Sequence, residues 1–107
     1  MYEAMSKGEQ KVARRLVKAA IKLGYIVSVF DGEEWSPRFR TFDAAWAWMG
    51  NTGEDQIRFF DAAGNQVGWM FLAWDNDPDG QDLIADYTAN VAMEKLYRAA
   101  NGQHLQR

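Results

Sequence analysis

The stretch Asp55-Gln-Ile-Arg-Phe-Phe-Asp-Ala-Ala-Gly-Asn-Gln-Val-Gly-Trp-Met-Phe-Leu-Ala-Trp74 decides the fold, because it predicts an antiparallel hairpin of two β-strands. The first strand covers residues 55–61 and the second covers residues 67–74. The turn between them contains Gly64, which can adopt the left-handed conformation that many hairpin turns need. Because the second strand is apolar on both faces, we expect its second face either to be covered within the fold or to meet a partner.

Helices and further strands are predicted on both sides of this hairpin. A helix over residues 7–23 begins at the capping box Ser6-Lys-Gly-Glu9 and stops before Gly24. The other predicted elements are, in chain order, strands at about 25–30 and 36–41, a helix at 42–49, a strand at 83–87 and a helix at 88–100. The order α-β-β-α-β-β-(β)-α predicts a single α+β domain over residues 1–107, with helices packed on a mainly antiparallel sheet of four to five strands.

Composition excludes several classes of function. The 107 residues are 48% hydrophobic and 25% charged, which is typical of a globular domain, and they include no cysteine for disulfides, thiolate metal sites or thiol catalysis. The N-terminus lacks the apolar run of a signal peptide, and no 18 consecutive residues are apolar, so we expect a cytoplasmic protein without membrane contact. The one histidine, His104, lies in a tail that we expect to fray, and no nucleophile elbow or phosphate-binding loop is present. We therefore expect neither enzyme activity nor a cofactor.

A cluster of aspartates is the most distinctive polar feature. Five of them fall within twelve residues: Asp75, Asp77, Asp79, Asp82 and Asp86. Because like charges at this density repel one another, water, a cation, backbone N–H groups or a basic partner must offset the repulsion. Trp74 directly precedes the cluster, and Trp48 lies off the core face of its helix. We expect the aspartates and these two tryptophans to bind a protein with a basic surface.

Calcium binding is an alternative for the same cluster. Asp75, Asp77, Asp79 and Gly80 match the start of a D-x-D-x-D-G loop, and Asp86 falls at its twelfth position. The match is incomplete, since the twelfth residue is aspartate instead of glutamate and the preceding segment is a predicted strand instead of a helix. The same residues also suit a polar hairpin turn, because Asp-Pro and Asp-Gly are frequent turn formers.

Charge is unevenly distributed along the chain. Residues 1–24 carry six cations and two acids, whereas the rest of the chain carries six cations and thirteen acids. On the first helix, the cations lie opposite the apolar side, at Lys7, Lys11, Arg14, Arg15, Lys18 and Lys22. A nucleic-acid-binding face formed by Lys11, Arg14, Arg15, Lys18 and Lys22 is therefore the other main functional alternative. A solvated helix face, or a basic helix docked on an acidic body, would show the same pattern.

Two parts of the sequence, residues 26–35 and 61–88, resemble small uncharacterised proteins encoded by tailed phages and prophages. The motifs concerned are Ile26-Val-Ser-Val-Phe-Asp-Gly-Glu-Glu-Trp35, Asp61-Ala-Ala-Gly64, Val67-Gly-Trp69, Asn76-Asp-Pro-Asp79 and Leu83-Ile-Ala-Asp-Tyr-Thr88. The resemblance implies a phage accessory protein, acting in an infected or lysogenic bacterial host on a host or phage macromolecule, for example as an inhibitor of host defence. These relatives share Asn-Asp-Pro and Asp-Tyr instead of the complete calcium motif. We therefore favour a non-enzymatic interaction protein, and the apolar central strand would also suit a homodimer.

Overall fold

The computed structural model describes residues 6–102 and contains a four-stranded antiparallel sheet with three helices. The elements are α1 (Lys7–Lys22), β1 (Ile26–Phe30), α2 (Phe42–Ala47), β2 (Glu54–Phe60), β3 (Gln66–Ala73), β4 (Ile84–Tyr87) and α3 (Val91–Ala100). The strands are neighbours in chain order, so the sheet is a meander. This confirms the predicted α+β class. The expectations for the first five residues and for the tail with His104 lie outside the described residues.

The hairpin that decides the fold forms as the sequence predicts. β2 and β3 pair antiparallel, with Ile57 opposite Met70 and Phe59 opposite Gly68. In the turn between them, Gly64 has a φ of 91°, and the Asp61 carboxylate accepts backbone N–H groups from within the turn. The local pattern of alternating residues and the turn chemistry therefore specify this pairing together.

The core lies between the sheet and the helices. The side chains that the strands direct toward the helices are almost completely buried: Val27, Val29, Ile57, Phe59, Met70 and Leu72. Leu16 from α1 and Leu96 from α3 are fully buried against them. At Gly68 an added Cβ would overlap the side chain of Met93, so the glycine allows α3 to approach β3 closely.

Helix α1 follows its sequence signals at both ends. The Ser6 hydroxyl accepts the N–H of Glu9 at 3.0 Å while the Ser6 N–H donates to the Glu9 carboxylate at 3.0 Å, which confirms the capping box. Gly24 follows the helix with a φ of 88°. Leu23 lies at the C-cap, after the last helical turn, and is 48% exposed.

The predicted strand at 36–41 is not a regular strand. Isolated bridges join Val27 to Phe39 and Phe30 to Trp35, but the ladder between them is interrupted. Pro37 has no N–H to donate, and the Ser36 hydroxyl, instead of a backbone carbonyl, accepts the N–H of Val29 at 2.9 Å. The sheet therefore has four strands, and the element order is α-β-α-β-β-β-α.

Candidate functional site

The backbone of the Asp-rich loop, residues 75–83, is held by a carboxylate from the other end of the chain. Glu9 accepts the N–H of Asp75 at 3.0 Å on Oε1, and those of Asn76 and Asp77 at 2.9 and 3.2 Å on Oε2. Its side chain is fully buried. Asp75 has a φ of 59°, a left-handed conformation that lets successive N–H groups point toward one anion.

These hydrogen bonds set the ionisation of Glu9. Burial acts to raise the pKa of this carboxyl, but the N–H groups of Ser6 and of residues 75–77 outweigh burial and hold the pKa below its ordinary value. Glu9 is therefore an anion at neutral pH. It joins the first turn of α1 to the loop, so the capping box has a tertiary role in addition to its local one.

The loop also touches the start of α1 through its backbone. The Ser6 hydroxyl donates to the carbonyl of Pro78 at 3.0 Å. A Cβ at Gly8 would overlap that same carbonyl, and a Cβ at Gly80 would overlap the carbonyl of Gly8. Glycine is thus required on both sides of this contact, and the loop lies directly against the helix.

The aspartates of the calcium alternative lie in different parts of the loop and of β4. The Asp77 carboxylate accepts the N–H groups of Asp79 and Asp82 at 3.1 and 3.3 Å, so it stabilises the turn from within. Asp86 lies in β4, opposite Phe71 in β3. Among residues 6–102, no group of three or more histidine, cysteine, aspartate or glutamate side chains is placed to hold a metal ion. The described geometry therefore does not support the calcium alternative at Asp75, Asp77, Asp79 and Asp86, which stays a prediction.

Trp74 is a core residue and not a surface anchor. It is 5% exposed, and its indole Nε1–H donates to Asp55 Oδ2 at 2.7 Å. The same oxygen accepts the N–H of Gly50 at 2.7 Å, whereas Oδ1 of Asp55 has no hydrogen-bond partner among residues 6–102. Burial raises the pKa of Asp55 to about 6, despite these two hydrogen bonds. The buried carboxylate therefore explains why Trp74 turns inward.

Trp48 is also less available than its position in the sequence suggests. It is the C-cap of α2 and is partly buried, with its ring 6.3 Å from that of Phe39. It packs against the core cluster. Neither tryptophan predicted to contact a partner is thus freely exposed, because each covers the core at the edge of an element.

Other aromatic side chains lie on the sheet face that points away from the helices. This open face consists of Phe30, Trp35, Gln56, Arg58, Trp69 and Phe71, all partly exposed. The Trp35 ring lies 5.2 Å from the ring of Phe30, and the Arg58 guanidinium lies 3.9 Å above the ring of Trp35. The Trp69 indole donates to Gln56 Oε1 at 2.9 Å. These contacts hold the aromatic rings in defined positions.

An acidic end adjoins the open face. In an antiparallel meander, the end of β1, the start of β2 and the β3–β4 connection lie at the same end of the sheet. The acids there come from three separate segments: Asp31, Glu33, Glu34, Glu54, Asp75, Asp77, Asp79 and Asp82. Burial raises the pKa of Asp55, and the charge of Asp31 adds to that effect. The sequence revealed only the Asp-rich part of this end.

The cations of α1 lie away from the open face. Lys7, Lys11, Arg14, Lys18 and Lys22 are exposed, and Arg15 is partly buried. The structure thus places the predicted nucleic-acid residues on one face of α1, the helix whose first turn contacts the Asp-rich loop.

Comparison with protein-family models, with curated proteins and with solved structures found no match. Within residues 6–102, no helix is long and apolar enough to cross a membrane.

Proposed function

We propose that this protein is a non-enzymatic interaction protein that binds a partner protein through the open face and the adjoining acidic end. The observation that supports this proposal is the set of aromatic rings and one arginine on the open face, which the helices do not cover. Tryptophan and arginine are enriched among the residues that dominate binding energy at interfaces. An aromatic cluster at the centre with charged residues around it has the usual arrangement of such a surface.

The open face is organised before any partner arrives. Arg58 lies on the ring of Trp35, and the Trp69 indole is hydrogen-bonded to Gln56, so these long side chains have already lost much of their rotamer freedom. Ordering a rotamer-rich side chain on binding costs about 0.5–1.5 kcal/mol. Pre-ordered rings therefore favour tighter binding than equally large but mobile side chains would.

The acidic end favours a partner with lysines and arginines around an apolar patch. Opposite charges steer association and increase its rate. The resemblance to phage and prophage accessory proteins supports a partner inside a bacterial host. Inhibition would then be steric, with a basic surface of that partner covered, including one that normally holds nucleic acid.

The experiment is affinity capture from a bacterial lysate, followed by binding of the purified partner across a salt series. Two open-face variants, Trp35→Ala and Phe71→Ala, and one charge variant, Glu54→Gln, are compared with wild type. Asp43→Asn is the matched control, since Asp43 is an exposed acid on α2. Circular dichroism and thermal unfolding establish that each variant is folded.

We expect one partner to be captured by wild type and by Asp43→Asn but lost from the two aromatic variants. Glu54→Gln should bind more weakly than wild type at low salt and similarly at high salt, because salt screens the charge on that residue. Equal capture of the partner by all folded variants would refute the open face as the binding surface.

A further inference from the structure

Four exposed cations form a straight row on α1, which we call the basic row: Lys7, Lys11, Arg14 and Lys18. Their spacing of three to four residues keeps them on one side of the helix. At a rise of about 1.5 Å per residue, the row is roughly 16 Å long. It borders a shallow groove of about 610 Å³ that Gln10 and Arg15 also line.

The basic row forms no ion pair with a carboxylate among residues 6–102. Between residues 6 and 102, the one ion pair joins Arg98 to Glu94, on α3. The like charges of the row therefore repel one another without a carboxylate partner, and a solvated row gains little from this arrangement. A polyanion would relieve that repulsion.

Aromatic rings of α2 lie against two cations of the basic row. The Arg14 guanidinium lies 5.4 Å from the ring of Trp46, and the Lys18 ammonium lies 5.1 Å from the ring of Phe42. The two rings stack on each other at 5.5 Å and are partly exposed. Two cations of the row and two partly exposed rings thus lie together on one surface.

We propose that the basic row and the two flanking rings bind single-stranded nucleic acid. Such sites combine a positive groove that follows the phosphates with aromatic rings on which bases stack. Duplex DNA keeps its bases stacked inside and would use the cations alone. The site lies on the helical side of the sheet, so this proposal is independent of the open face.

The test is fluorescence anisotropy of a labelled twenty-nucleotide oligo(dT) between 50 and 200 mM salt. With about four phosphate contacts, the slope of log K against log salt is expected to be about −3, which is roughly a 50-fold loss of affinity over this range. The triple variant Lys11→Gln, Arg14→Gln, Lys18→Gln should reduce the slope to about −1 or abolish binding. Lys95→Gln, an exposed cation on α3, is the control and should match wild type.

Several outcomes would overturn this proposal. One is the absence of any anisotropy change at 50 mM salt, and another is binding by the triple variant with the wild-type slope. Duplex binding as tight as oligo(dT) binding would remove the role of the rings and with it the single-stranded ligand. Salt-dependent self-association without oligonucleotide binding, measured by sedimentation, would assign the row to the acidic end of a second copy instead.

Discussion

Replacement of Glu9 by glutamine should destabilise the protein strongly and release the Asp-rich loop. Each carboxylate oxygen accepts two N–H groups, from Ser6 and Asp75 on Oε1 and from Asn76 and Asp77 on Oε2. Glutamine has an NH₂ group in place of one carboxylate oxygen, so two of these hydrogen bonds are lost. The NH₂ group, itself a donor, then faces the backbone N–H groups that the oxygen accepted. A hydrogen bond to a charged group contributes about 1.5–3 kcal/mol, so the expected loss is about 3–6 kcal/mol. That is a large share of the roughly 5–15 kcal/mol stability of a typical domain.

The assay is urea unfolding at pH 7, followed by tryptophan fluorescence, together with hydrogen exchange of the amides at residues 75–77. Glu94→Gln is the control, because its ion pair with Arg98 is 45% exposed on each side and should contribute little to stability. Glu9→Asp, which keeps the charge on a shorter side chain, provides an intermediate case if the glutamine variant does not fold. The reasoning is refuted if Glu9→Gln unfolds within about 1 kcal/mol of wild type and amides 75–77 exchange at the wild-type rate.

Three other predictions concern the core and the tight turns. Asp55→Asn should raise the free energy of unfolding at pH 8 by up to about 3 kcal/mol. Folding raises the pKa of Asp55 from 3.8 to about 6. The stability that accompanies the protonated carboxyl is therefore complete below pH 3.8 and is lost as pH rises through 6. Urea unfolding from pH 4 to pH 8 should show wild type and variant diverging in that window, and parallel profiles would contradict the burial of a charge. Gly80→Ala should lower the melting temperature more than Gly24→Ala. Both glycines have a positive φ, but a Cβ at position 80 would also overlap the α1 backbone, whereas a Cβ at position 24 would meet nothing within 4 Å. Equal shifts in melting temperature would show that the contact with α1 is not tight. Gly68→Ala should lower the free energy of unfolding by about 1–3 kcal/mol, and adding Met93→Ala in a double-mutant cycle should recover part of that loss. Simple additivity of the two substitutions would argue against the close approach of α3 to β3.

The sequence predicted most of the fold because its strongest signals are local. The capping box at Ser6 and Glu9 and the hairpin turn at Gly64 each depend on residues within a few positions of one another. The segment 36–41 does not form the expected strand, and the local sequence shows only part of the reason. Pro37 was visible, but the use of the Ser36 hydroxyl in place of a backbone acceptor depends on where β1 lies.

The candidate sites were less predictable. The composition of the Asp-rich loop suggested charges directed toward a ligand, but its backbone N–H groups bind Glu9, which is 66 to 68 positions away in the chain. Trp74 looked like an anchor beside the loop, yet its indole satisfies the buried Asp55. No signal within one segment could have indicated either pairing.

By itself, the sequence determined the three helices, the central hairpin, the α+β class and the basic side of α1, since periodicity and capping are set by neighbours within one or two turns. Only the tertiary structure decided which groups the Asp-rich loop binds, which tryptophans are buried and which aromatic residues share the open face. Those properties depend on contacts between distant segments. A buried hydrogen-bonding group must find a partner wherever the packed chain provides one.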